Sequence, residues 1–319
     1  EVILVDNSCD PENTEKLKTL KTYQGIRLLV SDKNVGYIRA NNLGAKLAQG
    51  EYLLILNPDI IWQKTDTLQK LVDFMDKYPK IGVAGPRQIN ESDRSVAMTV
   101  RAFPRLPLQI ARRTFLRHIP GLKGLVEHDE MQHLNYSETQ TVDWLQSSFW
   151  IVRKSLWDEL GGLSKDYFLF MSDPDFCYRT WEAGYEVVYF PDTEVTADGL
   201  RASSGGFKDL FKKWTLRQHV KEAFTYSLKH LGKGNPHLKY VEALEARLRP
   251  QANAITLEGA HLTYAELDGR ANQLAHWLRA HGVGRETLVA LFMERAPEMI
   301  VGLLGILKAG GAYLPIDPV

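Results

Sequence analysis

Short apolar runs alternate with helical periodicity along the first part of this chain, and that alternation is what most restricts its fold. Val2 to Val5, Ile26 to Val30, Tyr52 to Leu56 and Ile81 to Ala84 read as strands. Between them, Leu43 and Leu47, and then Leu68, Leu71, Phe74 and Met75, recur at helical spacing. Neighbouring parallel strands need a long crossover, and a helix supplies one, so the pattern predicts an α/β fold with a mainly parallel sheet and helices on its faces. In such sheets ligands collect beyond the carboxyl ends of the strands. Tyr52 to Leu56 runs straight into Asn57-Pro58-Asp59, which places a carboxylate just past a strand end. Asn-Pro-Asp is also good turn chemistry. As a site, a hard oxygen ligand at that edge suits Mg²⁺ or Mn²⁺ bound together with a diphosphate.

Other segments converge on the same chemistry. Val5-Asp6-Asn7-Ser8 ends a strand in a carboxylate, and Asn34-Val35-Gly36-Tyr37-Ile38-Arg39-Ala40-Asn41-Asn42-Leu43-Gly44 leads into a helix. Downstream, Phe168-Leu169-Phe170-Met171-Ser172-Asp173-Pro174-Asp175-Phe176-Cys177-Tyr178-Arg179 adds an acidic pair. In this order the motifs resemble those of family 2 glycosyltransferases with the GT-A fold, over residues 1 to about 231, nearest to the bacterial rhamnosyltransferase-like group. The resemblance implies a Rossmann-like nucleotide-diphospho-sugar transferase domain that here lacks its first strand. It also implies inverting, metal-dependent transfer of a sugar from a nucleoside diphosphate donor, by analogy dTDP-rhamnose, to a saccharide or lipid-linked acceptor.

On that reading Asp6 reaches the base or ribose of the donor, and Asn34, Gly36, Asn41 and Asn42 belong to the donor-binding loop. Asp59 holds a Mn²⁺ or Mg²⁺ ion, supported by Asn57 at the first position of the Asp-x-Asp equivalent. Asp173 deprotonates the acceptor hydroxyl, with Asp175 in reserve. Two departures qualify the resemblance. The family usually reads Glu-Asp-x-Asp where this chain has Ser172-Asp173-Pro174-Asp175, and Asp175 has a competing expectation as the cap of a helix from Phe176 to Ala183. Many relatives place a His near Thr196-Ala197-Asp198-Gly199, where this chain offers Asp198 as a further metal ligand.

Lys plus Arg and Asp plus Glu each number 39, and a net charge of +0 gives no signal for nucleic acid. Cys9 and Cys177 stand far apart, which points to a reduced, cytoplasmic compartment. From Arg101 to about Thr141 the periodicity weakens, and basic and aromatic residues mix: Arg101, Phe103, Arg105, Arg112, Arg113, Phe115 and Arg117. A solvated insertion is the first reading of this stretch. A peripheral contact with anionic lipid at the inner face of the cell membrane is the second, and it suits a lipid-linked acceptor. His128, Asp129, Glu130 and His133 match no metal-binding spacing and read as a polar loop. Gly184 to Pro191 reads as a strand ended by proline. Phe207, Leu210, Phe211, Trp214, Val220, Phe224 and Leu228 recur at helical spacing and read as a helix packed on the core, with a lipid-facing role as the alternative.

The pattern breaks at Leu231-Gly232-Lys233-Gly234-Asn235-Pro236, which predicts a linker over 232–249. Beyond it, Leu262-Thr263-Tyr264-Ala265-Glu266-Leu267 is a capping box that opens an amphipathic helix. Leu288 to Leu291 reads as a strand, and Pro297 to Ala309 as a helix stopped by Gly310-Gly311. With Leu307-Lys308-Ala309-Gly310-Gly311-Ala312-Tyr313-Leu314-Pro315-Ile316-Asp317-Pro318, these residues resemble the N-terminal edge of a nonribosomal peptide synthetase adenylation domain, over about 250 to 319. The phosphate loop and catalytic lysine of that AMP-binding family do not occur here, so this partial α/β domain is expected to be inactive alone, with Lys308 structural. Two rival readings stand beside the transferase: a non-catalytic scaffold, and part of a bifunctional enzyme joining glycosyl transfer to peptide synthesis.

Overall fold

The computed structural model describes residues 1–62, 64–105, 108–109, 111, 119, 122–198, 213–241, 250–257, 260–285, 287–294 and 296–316. Arg112, Arg113, Phe115, Arg117, Gly199, Phe207, Leu210, Phe211, Asp317 and Pro318, named above, lie outside them. The chain divides into two compact units, Glu1–Lys229 and His230–Val319.

In the first unit, Val2–Asp6 (β1) pairs in parallel with Ile26–Val30 (β2) across the helix Pro11–Thr19 (α1). Asp10 caps that helix, accepting from the Glu12 amide at 3.0 Å. Tyr37–Leu47 (α2) follows and lies so close to β1 that a Cβ on Gly44 would stand 3.1 Å from Val5 Cγ2. Next come Tyr52–Leu56 (β3), Thr67–Lys77 (α3), Ile81–Asn90 (β4) and Val100–Arg101 (β5). Leu122–Asp129 (α4), Gln140–Thr141 (β6), Trp144–Leu145 (β7) and Phe149–Arg153 (β8) complete the middle of the unit. Lys154–Glu159 (α5), Ser172–Glu182 (α6), Glu186–Ala197 (β9) and Trp214–Lys229 (α7) close it.

The central sheet has the order β3-β8-β4-β9-β6. It is mixed rather than mainly parallel, because β8 enters antiparallel between β3 and β4, and among the described residues β4 and β9 are the only neighbouring strands in it that pair in parallel. Strand β8, Phe-Trp-Ile-Val-Arg, is an uninterrupted apolar run buried on both faces, so it carries no alternation to betray it. The core under the sheet joins Leu71 and Met75 of α3 to Ile81, Ala84, Phe149, Ile151 and Val188. Strand β9 does not stop at Pro191. Its pairing with β4 jumps from Phe190 opposite Pro86 to Glu194 opposite Arg87, so the proline sits in a bulge where no ladder amide is needed.

Helix α7 also differs from expectation. Val220, Phe224 and Leu228 are exposed, whereas Leu216, Glu222, Ala223 and Tyr226 face inward. The sequence pattern selected the wrong face, because one of the buried groups is a carboxylate with backbone partners. His128 and His133 stack with ring centroids 4.4 Å apart. Among the described residues no helix is long and apolar enough to cross a membrane.

In the second unit, Asn253–Leu257 (β10) pairs antiparallel with Ala260–Thr263 (β11), and Tyr264–Ala280 (α8) follows. The capping box forms as its residues dictate: Thr263 Oγ1 accepts from the Glu266 amide at 3.2 Å, and the Glu266 carboxylate accepts from the Thr263 amide at 2.9 Å. Leu288–Phe292 (β12) runs parallel to Ala312–Ile316 (β13), and Pro297–Ala309 (α9) forms the crossover. Gly310 ends α9 at φ 93°, a left-handed stop that suits glycine. Lys308 is structural here, its Nζ reaching Asp268 at 2.5 Å and Asn272 at 3.0 Å to tie α9 to α8.

Candidate functional site

A cleft of about 330 Å³ opens in the first unit beyond the end of β3. Asn57 and Asp59 line it from the turn after that strand, Asp173 from the first turn of α6, and Asp198 from the residue after β9. Four groups from three segments distant in sequence therefore line one cleft, as expected where a strand delivers its carboxyl end to a crevice. Tyr37 and His219 face the same space.

Asp173 is half-buried and tightly held. Ser147 donates from its amide to Oδ2 at 3.1 Å and from its hydroxyl to Oδ1 at 2.7 Å, and Ser172 Oγ donates to Oδ1 at 3.1 Å. Burial pushes the carboxyl above the usual carboxylate range, while the Ser147 and Ser172 hydrogen bonds pull the other way. Tyr37 sits 2.9 Å from Ser147 Oγ and donates to the Ser147 carbonyl at 3.1 Å. Burial, with the Asp173 charge second, raises its phenol well above the ordinary value, so Tyr37 stays protonated. Ser148 turns the other way: its carbonyl accepts from the Asn57 amide at 2.9 Å, and its hydroxyl sits 2.7 Å from Gln88 Nε2. The Ser147-Ser148 pair thus ties the Asn57 turn, β4 and Asp173 together. Sequence reasoning missed it, since two serines before an apolar run carry no motif.

The remaining predicted residues do not line this cleft. Asp6 is buried and accepts from Ser8 Oγ at 2.6 Å, from the Ser8 amide at 3.0 Å and from Thr14 Oγ1, bonds that hold its carboxyl below the usual range. Asn34 Oδ1 accepts from the Gly36 amide at 3.0 Å and from Asn7 Nδ2 at 3.1 Å. Gly36 itself, at φ 83°, lies against Phe168; a Cβ there would stand 2.6 Å from the Phe168 carbonyl oxygen. Asn41 donates to the Tyr37 carbonyl within α2. Asn42 clasps Leu163, donating to its carbonyl at 2.8 Å and accepting from its amide at 2.9 Å. These groups shape the loops that carry the cleft.

Asp175 departs from its expectation as a helix cap. Helix α6 begins at Ser172, three residues ahead of it, so Asp175 lies inside the helix and caps nothing. It is fully buried and paired with Arg179 Nε at 2.9 Å and Lys229 Nζ at 3.0 Å, out of the cleft. Arg179 in turn donates to the Leu160 and Gly162 carbonyls at 2.8 and 2.9 Å. The aspartate anchors a fold contact.

Asp59, Asp198 and Asn57 line the same cleft, and the chemistry of their side chains, oxygen without sulfur or imidazole, is of the kind that suits Mg²⁺ or Mn²⁺ rather than a soft metal. Among the described residues no group of three His, Cys, Asp or Glu side chains is placed to enclose an ion.

The first unit is of the α/β class, with a cleft beyond the end of a sheet strand. Residues 1–156 match the family model described as glycosyl transferase family 2, and residues 243–319 match that described as AMP-binding enzyme. The first unit thus contains a segment similar to glycosyl transferase family 2, and the second a segment similar to AMP-binding enzymes. Tyrocidine synthase 3 of Brevibacillus parabrevis is 54% identical over 74 residues, 23% of this chain and 1% of that protein. Bacitracin synthase 3 of Bacillus licheniformis is likewise 54% identical over 74 residues, 23% of this chain and 1% of that protein. Linear gramicidin synthase of Brevibacillus parabrevis, through one of its polypeptides, is 68% identical over 69 residues, 22% of this chain and 1% of that polypeptide. The chain spans only about 1% of the length of these relatives. Asp173, Asp198 and α7 fall outside both family matches.

Proposed function

We propose that the first unit transfers a glycosyl group, with inversion, from a nucleoside diphosphate sugar to a hydroxyl of a saccharide or lipid-linked acceptor. The observation that carries this reading is the convergence of Asp59, Asn57, Asp198 and Asp173 on one cleft, with Asp173 held against Ser147. The donor lies with its diphosphate toward Asp59 and Asp198 and its anomeric carbon toward Asp173. Asp173 takes the proton of the acceptor hydroxyl as that oxygen forms its bond to the anomeric carbon. The bond from that carbon to the diphosphate breaks on the opposite face, and the configuration inverts. A carboxylate raised above its usual range is a stronger base than an exposed one, and Tyr37 and Ser147 fix its orientation. Asp59, Asp198 and Asn57 would hold Mg²⁺ or Mn²⁺, whose chemistry is to offset the charge on the departing diphosphate. dTDP-rhamnose is the donor suggested by the rhamnosyltransferase-like resemblance.

Calorimetric titration with UDP, dTDP and GDP, with and without Mn²⁺, tests the site. Binding of one nucleotide that needs Mn²⁺ and is lost in Asp59→Ala is the expected outcome. Binding of none of the three by the well-folded chain would refute the reading.

A further inference from the structure

Glu222 of α7 is 2% exposed, and its carboxylate faces backbone amides. It accepts from Phe168 N at 2.8 Å, from Leu169 N at 3.3 Å and from Phe170 N at 2.5 Å, with Gln218 Nε2 also donating to it. Three successive N–H groups converging on one point form a nest that demands an anion, and the chain supplies its own. The same peptide segment forms a wall of the cleft: Leu169, Phe170 and Met171 line it, and Asp173 follows two residues later. Met171 links the nest to α6 in a left-handed conformation, φ 57°, a form a methionine adopts only when its surroundings impose it. Helix α7 grips the segment at further points. Trp214 meets the Phe168 ring edge-on at 5.7 Å, and His219 lies 4.7 Å from the Phe170 ring. Lys229, at its far end, pairs with Asp166 at 2.8 Å.

We infer that Glu222 is a positioning residue for glycosyl transfer: by filling the amide nest at 168–170 it fixes the cleft wall and, through Met171, the direction in which Asp173 meets the acceptor. This rests on the transferase reading above. We place its effect chiefly on the acceptor side, because Asn57 and Asp59 are carried by a different turn, while the nest touches the donor loop only where Phe168 packs against Gly36.

The test compares the full chain with Glu222→Gln and Glu222→Ala. Glutamine keeps the shape but turns an N–H donor pair toward a site built for an anion; alanine empties it. Three readouts are taken: amide hydrogen exchange at Phe168, Leu169 and Phe170, calorimetric affinity for UDP, dTDP and GDP in the presence of Mn²⁺, and kcat and acceptor KM. The expected result is exchange at those amides at least tenfold faster, nucleotide affinity within twofold of the parent, and kcat down at least tenfold. Formate, a small carboxylate able to enter the nest, restores part of the Glu222→Ala rate, which a loss of fold would not allow. Unchanged exchange at 168–170, or faster exchange with kcat unchanged, overturns the inference. Absence of transfer by the parent chain strikes the transferase reading, and this role with it, whereas transfer undiminished in both variants strikes this role alone.

Discussion

Replacing Asp175 by Asn separates the two aspartates of Asp-Pro-Asp as sharply as any perturbation of this chain. Asp175 is fully buried between Arg179 and Lys229, with Tyr167 Oη 3.3 Å away, so losing its charge strands two cations. Removing one member of a buried ion pair costs about 3–5 kcal/mol. The lower end applies here, because each cation keeps other acceptors. Arg179 retains the Leu160 and Gly162 carbonyls, and Lys229 retains Asp166 at 2.8 Å and Ser164 at 3.0 Å. About 3 kcal/mol in a unit of this size corresponds to a fall in Tm of about 6–12 °C. Asp173→Asn behaves in the opposite way. Burial raises the Asp173 carboxyl, so its ionised form opposes folding and any stabilisation from the neutral form is lost as pH rises through that raised value. A neutral Asn at Asp173 therefore costs little at neutral pH, with Tm within about 2 °C of the parent, yet transfer disappears. Circular dichroism melting of both variants at neutral pH, alongside a transfer assay, decides the matter. An Asp175→Asn chain that melts with the parent, or an Asp173→Asn chain that still turns over, would refute the division of roles.

Ser147→Ala removes one donor to the ionised form of Asp173, so the carboxyl should rise further and the acid limb of the kcat profile should move to higher pH; an unmoved limb counts against Asp173 as base. Gly36→Ala places a methyl at φ 83° within 2.6 Å of the Phe168 carbonyl, and conformational strain plus overpacking predict about 2–5 kcal/mol of destabilisation by denaturant melting. Thr263→Ala removes the hydroxyl half of the capping box on α8 and should lower the stability of the second unit by about 1 kcal/mol, read as a shift of its own unfolding transition while the first unit's stays in place.

Much of the candidate site is legible without coordinates, because its chemistry is written in contiguous residues. Asn57-Pro58-Asp59 after an apolar strand, Asp173 in its acidic segment and Asp198 near the end of a strand are local features, and local features fix residue type and strand position. The Thr263 to Glu266 capping box and the Gly310 stop follow for the same reason, each being settled by the few residues that bond to one another. What the sequence leaves open is every choice that depends on a distant partner. The antiparallel entry of Phe149–Arg153 into the sheet depends on what lies on either side of it, and a strand buried on both faces shows no period to read. The inward face of α7 depends on three amides some 50 residues upstream, so a carboxylate displaced the apolar stripe that periodicity favours. Asp173 and Asp175 look alike in sequence, one turn-forming aspartate beside another. The fold gives the first a serine pair and a cleft and the second two buried cations, since a helix turns by about 100° per residue and two positions apart point to opposite sides.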